Sequence, residues 1–371
     1  MIFGSASRRS LRRPSAAGFG SQVRDAWDIA RATTKSKGCD IISVTVAKAT
    51  RHDDSAPKEK HVLILVRSAS RPGPDLAYTA HRLCKRLRTC QDWRPVLKTL
   101  YCIHALSRRA SPHFSSVVAA DADGVFALAH MSTVVGHAVP AMPFVRAYAA
   151  FVEAKLEHFM ASPVDYESHF SQGGRGGGAG DGAPEDRAMN PYGALSASQV
   201  IDALGRLQRL MGAAVACMPS REVFGSPAVV ASLSAVIRES FIIQACLMQA
   251  TLHLVDTFPC MDVEDAERAL FLYEARGGEL RERQQRFYAI ARDVVGEDHG
   301  QPELTDVPDT LASAMKHRIA CLHAGETQGV SSPQGPRPPR PKEVDYEVVA
   351  LGVALPSSPE DSPVQGQVAV G

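Results

Sequence analysis

Within one stretch of the chain, Lys48, Lys58, Lys60 and His61 bring together side chains suited to capturing an anion. The polar run from His52 to Ser55 between them reads as a turn, with Lys48 at the end of one helix and Pro57 as the first residue of the next, where its missing N–H costs nothing. Lys58, Lys60 and His61 then fall in an opening helical turn. Unpaired backbone N–H groups and the positive end of the helix dipole favour an anion there. Three cationic or protonatable side chains, with Lys48 across the turn, strengthen that preference, and the chemistry fits a multiply phosphorylated head group. Basic residues at a helix start are also common as a merely solvated face, so the reading needs support from the rest of the chain.

No catalytic constellation competes. The chain has no Gly-x-Ser-x-Gly, no His-Glu-x-x-His and no Gly-x-x-x-x-Gly-Lys-Ser/Thr order, and its carboxylates are scattered over faces that read as solvated. The eight cysteines form no C-x-x-C pair, a pattern of reduced thiols rather than a disulfide frame or zinc site. We therefore expect no enzyme, no metal and no cofactor. His104 lies on an apolar helix with no second histidine at ligand spacing, which makes it a satisfied structural histidine. Lys98 reads as a packing or surface residue. With no run of about 18 apolar residues, no transmembrane helix is expected.

The near-neutral total, 41 Lys and Arg against 40 Asp and Glu, hides an asymmetry. Residues 1–120 hold 22 basic and 8 acidic residues, and the remainder holds 19 and 32. A cationic end attracts anionic membranes or nucleic acids from a distance. No RNP-like aromatic motif, zinc-finger spacing or leucine zipper accompanies it, so no nucleic acid is expected.

The elements that must position the cluster are helical by periodicity. Residues 1–20 form an Arg-rich, acid-free leader, a composition shared with organellar transit peptides, and are read as disordered. Amphipathic spacing predicts helices over Gln22–Ser36, Pro57–Ser68, Asp75–Arg88, from a cap at Asp92 through Leu106, and over Pro143–Met160. Further helices are expected from a capping box at Ser196 and Gln199, over Pro227–Phe258, Asp262–Arg276 and Glu279–Val295, and through Ala312–His323, closed by Gly325. Asp40–Lys48 is ambiguous, because Ile41, Ile42, Val44 and Val46 suit a strand by propensity. Residues 162–194 form a Gly-rich surface insertion. Residues 326–371 form a Pro-rich disordered tail that includes Pro336 to Pro341, a possible SH3-type ligand, and Tyr346-Glu347-Val348-Val349, a sorting-like tetrapeptide.

The spacing of Lys48, Lys58, Lys60 and His61, within Lys-Ala-Thr and Pro-Lys-Glu-Lys-His-Val, resembles the phosphoinositide-binding signature of the ANTH domain of clathrin-assembly proteins. Trp93, Leu97-Lys98-Thr99-Leu100, Ile103-His104, Arg146-Ala147-Tyr148, Lys155-Leu156 and Arg238-Glu239-Ser240-Phe241 are similar to the family in the same way. The likeness runs from Gln22 to Ala324 and is strongest from Cys39 to Leu106. It implies helix for Asp40–Lys48 and an all-α fold, a right-handed stack of antiparallel helix pairs spanning residues 21–325.

The resemblance also implies a cytoplasmic, peripheral adaptor binding phosphatidylinositol 4,5-bisphosphate through Lys48, Lys58, Lys60 and His61, with Lys35, Lys37 and Arg51 as accessory charges. Its implied setting is clathrin-mediated endocytosis at the plasma membrane, coated pits and vesicles, or the Golgi. The implied partners are clathrin, clathrin adaptors and a SNARE cargo, although the chain carries no acidic-leucine clathrin box, no Asn-Pro-Phe and no Asp-Pro-Phe. The alternative is a helical protein-interaction scaffold whose basic lobe docks an acidic partner without lipid.

Overall fold

Helix follows helix along the whole described chain, because apolar residues recur at a spacing that gives each segment one face to bury. The computed structural model describes residues 41–122, 124–133, 139–162, 191–296 and 308–327, with Asp25, Ile29 and Leu304 besides. The expectations for the leader, for the Gln22–Ser36 helix apart from Asp25 and Ile29, for Lys35 and Lys37, for residues 163–190 of the Gly-rich insertion and for the Pro-rich tail beyond Thr327 fall outside these residues; the tail expected from residue 326 is still helical at 326 and 327. Helices α1 (Ile41–Ala49), α2 (Glu59–Ser68), α3 (Pro74–Thr89), α4 (Trp93–Arg109), α5 (Pro112–Asp121) and α6 (Met142–Ala161) form the first part of the stack. Helices α7 (Ala197–Val215), α8 (Pro227–Thr257), α9 (Val263–Ala275), α10 (Arg281–Val295) and α11 (Asp309–Thr327) complete it. Among the described residues there is no strand.

Packing decides the ambiguous segment. As helix α1, residues 41–49 put Ile42 and Val46 one turn apart against the core, with Ser43 and Thr45 also buried. As a strand the segment would have no partner edge. Helix α4 is the axle of the N-terminal half: it packs on α2, α3, α6 and α8, and Val96, Leu100 and Ile103 are fully enclosed. Asp92 caps it, accepting from the Arg94 N–H at 3.0 Å. The Ser196–Gln199 capping box forms on α7.

Several boundaries and burials differ from expectation. Helix α2 begins at Glu59 rather than Pro57, with Lys58 as its extended N-cap, because the preceding turn is pulled across the bundle by the contacts described below. Gly325 does not close α11, which runs on to Thr327. Leu63, Phe159, Leu270 and Leu280 are only half-buried. Helix α8 with the short turn after it, Pro227–Cys260, is long and apolar enough to cross a membrane by length and hydropathy alone. Here it is a core helix, with Glu239 completely enclosed at its middle.

Candidate functional site

The site is built where the C-terminus of α1 meets the N-terminus of α2. Lys48 is exposed in the last turn of α1; Lys58 and Lys60 are exposed at the start of α2, and His61 beside them is half-buried. No side chain caps the first turn of α2; the His61 N–H donates to the Lys58 carbonyl at 2.9 Å, which leaves the Glu59 and Lys60 N–H groups at the head of the helix for a ligand. His61 reports how closely the charges gather. Its pKa lies below the ordinary 6.5 because burial disfavours the imidazolium and because Lys60, Lys48, Lys58 and Arg51, in that order, repel it.

Carboxylates near the cluster are held away from it. Glu59 in the same turn is taken by Arg109, Oε1 to Nη1 2.6 Å. Among the described residues, Lys48, Lys58 and Lys60 have no carboxylate within ion-pair distance. Arg51 is different: its Nε lies 3.4 Å from Asp25 Oδ2 and 3.7 Å from Asp53 Oδ2. Its charge therefore serves the turn as well as the site.

The turn is fixed from several sides. Lys98 of α4, only 1% exposed, donates from Nζ to the Arg51 carbonyl (3.0 Å), the Asp53 carbonyl (2.8 Å) and Asp53 Oδ1 (2.7 Å). These three acceptors match the three N–H bonds of an ammonium. Lys98 is thus neither packing filler nor a surface residue; it is a positioning residue. Burial alone would raise the Asp53 carboxyl, but hydrogen bonds from Lys98 and Ser55 and the Lys98 charge outweigh it, leaving Asp53 below the usual carboxylate range. Burial lowers the pKa of Lys98, against the opposing pull of Asp53.

Other elements hold the same turn. Asp25 Oδ1 accepts from the His52 N–H at 2.8 Å and lies 2.7 Å from its Nδ1. Arg86 of α3 donates to the Thr50 carbonyl at 3.0 Å. Asp54 accepts from the Ser226 hydroxyl at 3.0 Å, and Arg94 Nε lies 3.5 Å from it. Of these, only Lys98 carried a signal in the sequence: a lysine within an apolar helix needs a buried partner.

A second polar centre lies in the core. Glu239 meets Lys155 Nζ at 2.9 Å, Arg108 Nε at 3.1 Å and His104 Nε2 at 3.6 Å. The Tyr148 hydroxyl lies 2.9 Å from His104 Nδ1, and burial pushes the Tyr148 pKa well above its ordinary value. His104 is pushed down to about 4 by burial first and by Lys155 second, as a neutral structural histidine should be.

The family model of the ANTH domain matches residues 41–320. The chain belongs to the ANTH-domain family. This ANTH chain is 27% identical over 309 residues to a "Putative clathrin assembly protein" of Arabidopsis thaliana, covering 80% of this chain and 50% of that protein. It is 25% identical over 327 residues to the "Phosphatidylinositol-binding clathrin assembly protein LAP" of Drosophila melanogaster, covering 85% and 65% respectively. The chain spans about half the length of the Arabidopsis relatives it matches. A solved ENTH domain from epsin-2, in complex with phosphatidylinositol 4,5-bisphosphate, superposes with a TM-score of 0.47 at 16% identity, over 74% of this chain and 98% of that one.

Proposed function

We propose that this ANTH chain is a non-catalytic, peripheral membrane adaptor in clathrin-coat assembly, which binds the phosphorylated head group of a phosphoinositide through Lys48, Lys58, Lys60 and His61. The preferred lipid in this reading is phosphatidylinositol 4,5-bisphosphate. The supporting observation is that Lys48, Lys58 and Lys60, with no carboxylate partner among the described residues, gather around half-buried His61, whose pKa is lowered by burial first and by these lysines after it. Such a cluster is self-repelling when empty, and a polyphosphate relieves the repulsion. The names of the relatives, one of them a phosphatidylinositol-binding protein, point the same way. Residence at the plasma membrane and coated pits, with clathrin, adaptor and SNARE partners, belongs to the same proposal.

The test is sedimentation with phosphatidylcholine vesicles with and without phosphatidylinositol 4,5-bisphosphate. Wild type should sediment only with the phosphorylated lipid. Lys58→Glu combined with Lys60→Glu should weaken binding by about 100-fold or more, with an unchanged circular dichroism spectrum. Binding to an acidic protein but to neither vesicle would favour the scaffold alternative.

A further inference from the structure

Helices α1 and α3 lie side by side and run the same way. Near their starts the Ser43 and Tyr78 hydroxyls are 2.8 Å apart, and near their ends Arg86 reaches the Thr50 carbonyl. Helical spacing then fixes what the pair presents outward. On α1, Ile41 and Lys48 stand two turns apart on one face, with half-buried Val44 between them. On α3, Arg86 turns toward α1, while His81 and Arg88 turn to Asp121 on the opposite flank, at 3.5 and 3.4 Å. Tyr78, Arg82 and Lys85 occupy the outward arc between those flanks.

This surface is graded. Its leading end is apolar: Ile41 is 71% exposed and Tyr78 37%. Its trailing end is cationic, with exposed Lys48 and Lys85 and half-buried Arg82, whose Nε is enclosed, and among the described residues neither Arg82 nor Lys85 has an ion-pair partner. Asp75 marks the rim, where Arg67 and Arg71 line the same shallow depression. An exposed isoleucine in line with unpaired cations suits the boundary between acyl chains and anionic head groups. Ile41 and Lys48 are about 10 Å apart along the helix axis, so one flat surface reaches both.

We infer that the outward face of α1 and α3 is a second, non-stereospecific contact with an anionic lipid leaflet, in which Arg82 and Lys85 face lipid phosphates and Ile41 enters the acyl boundary. It rests on the phosphoinositide reading only for its orientation, since Lys48 lies at the junction of the two surfaces.

The experiment uses the full chain, vesicles of phosphatidylcholine with phosphatidylserine, made with and without phosphatidylinositol 4,5-bisphosphate, and calorimetry with soluble inositol trisphosphate. Arg82→Ala with Lys85→Ala should weaken binding to both vesicles by about 25-fold, and Ile41→Ser by about tenfold. Both variants should bind soluble trisphosphate as wild type does and melt at the wild-type temperature. Unchanged vesicle affinity overturns the inference, and so does a parallel loss of trisphosphate affinity, which would place Arg82 and Lys85 inside the head-group site. If wild type fails to bind trisphosphate, the head-group reading falls by itself. The phosphatidylserine vesicles still decide this inference: loss in the double variant upholds it, and no loss overturns it.

Discussion

Lys98 does for the site what none of the ligand-facing residues can do for themselves. Its three hydrogen bonds convert the nine-residue connection 50–58 into a fixed bracket between α1 and α2. Lys98→Met would fill the space but leave two carbonyls and the Asp53 carboxylate without their donor. Because Asp53 is partly exposed, water recovers some of the loss, and we expect a stability decrease of about 2 kcal/mol, read by urea denaturation. Head-group affinity should fall with it, although Lys98 is buried and is not among the four residues proposed to bind the head group. His61 gives a prediction of a different kind. Its folded, unliganded pKa is depressed below 6.5 by burial first and by the neighbouring cations after it; a bound phosphate offsets the cationic repulsion and raises that pKa, so binding takes up a proton. Affinity should rise as pH falls through the neutral-to-acid range and level off below the free-state pKa. In His61→Gln that slope should be absent from a calorimetric titration across pH. That Lys48, Lys58, Lys60 and His61, the residues proposed to bind the head group, gather in one place was legible in the sequence because a basic cluster at a helix start is a local pattern. The bracket was not, since it is assembled from Asp25, Arg86, Arg94, Lys98 and Ser226, which meet only in three dimensions.

Helix α1 shows where local reading stops. Its β-branched residues favour a strand on propensity, and the packing of Ile42 and Val46 on the bundle overrides it. The amphipathic helices were legible without help, since a buried stripe is written into the order of residues; some ends moved, at Pro57, which precedes the helix start, and at Gly325, which α11 runs past. The Glu239 centre ties three helices, α4 through His104 and Arg108, α6 through Lys155, and α8 through Glu239 itself. Glu239→Gln keeps the shape but removes the carboxylate charge that meets buried Lys155 at 2.9 Å, at a cost of about 3 kcal/mol visible as a lowered melting temperature. His104 adds a pH dependence of definite sign. Its folded pKa of about 4 lies below the ordinary 6.5, so on acidification the unfolded chain takes up a proton that the folded one refuses. Stability attributable to His104 is therefore complete above pH 6.5 and declines by about 3 kcal/mol as pH falls to 4. His104→Gln should flatten that part of a stability-against-pH curve measured by denaturation.

At the scale of the whole molecule, the all-α stack follows from the periodicity, and the concentration of charge in residues 1–120 follows from composition. Neither says that the basic end is mechanically continuous with the rest. The link is Asp54, which accepts from the Ser226 hydroxyl while Ser226 caps α8, the longest described helix. A ligand that fixes the turn therefore acts on α8 as well as on α1 and α2. Because a folded-state ligand stabilises by mass action, soluble inositol trisphosphate at about a hundred times its dissociation constant should add about 2.7 kcal/mol. That gain should appear as a single shifted unfolding transition rather than protection of α1 and α2 alone. Hydrogen exchange should slow at the start of α8 as well as in residues 50–56. In Ser226→Ala, which removes both the cap and the tether, stability should drop by about 1 kcal/mol, and the α8 protection should be lost while the turn keeps its own. Protection confined to the turn in the wild type would mean that the site is carried by the bundle but is not coupled to it.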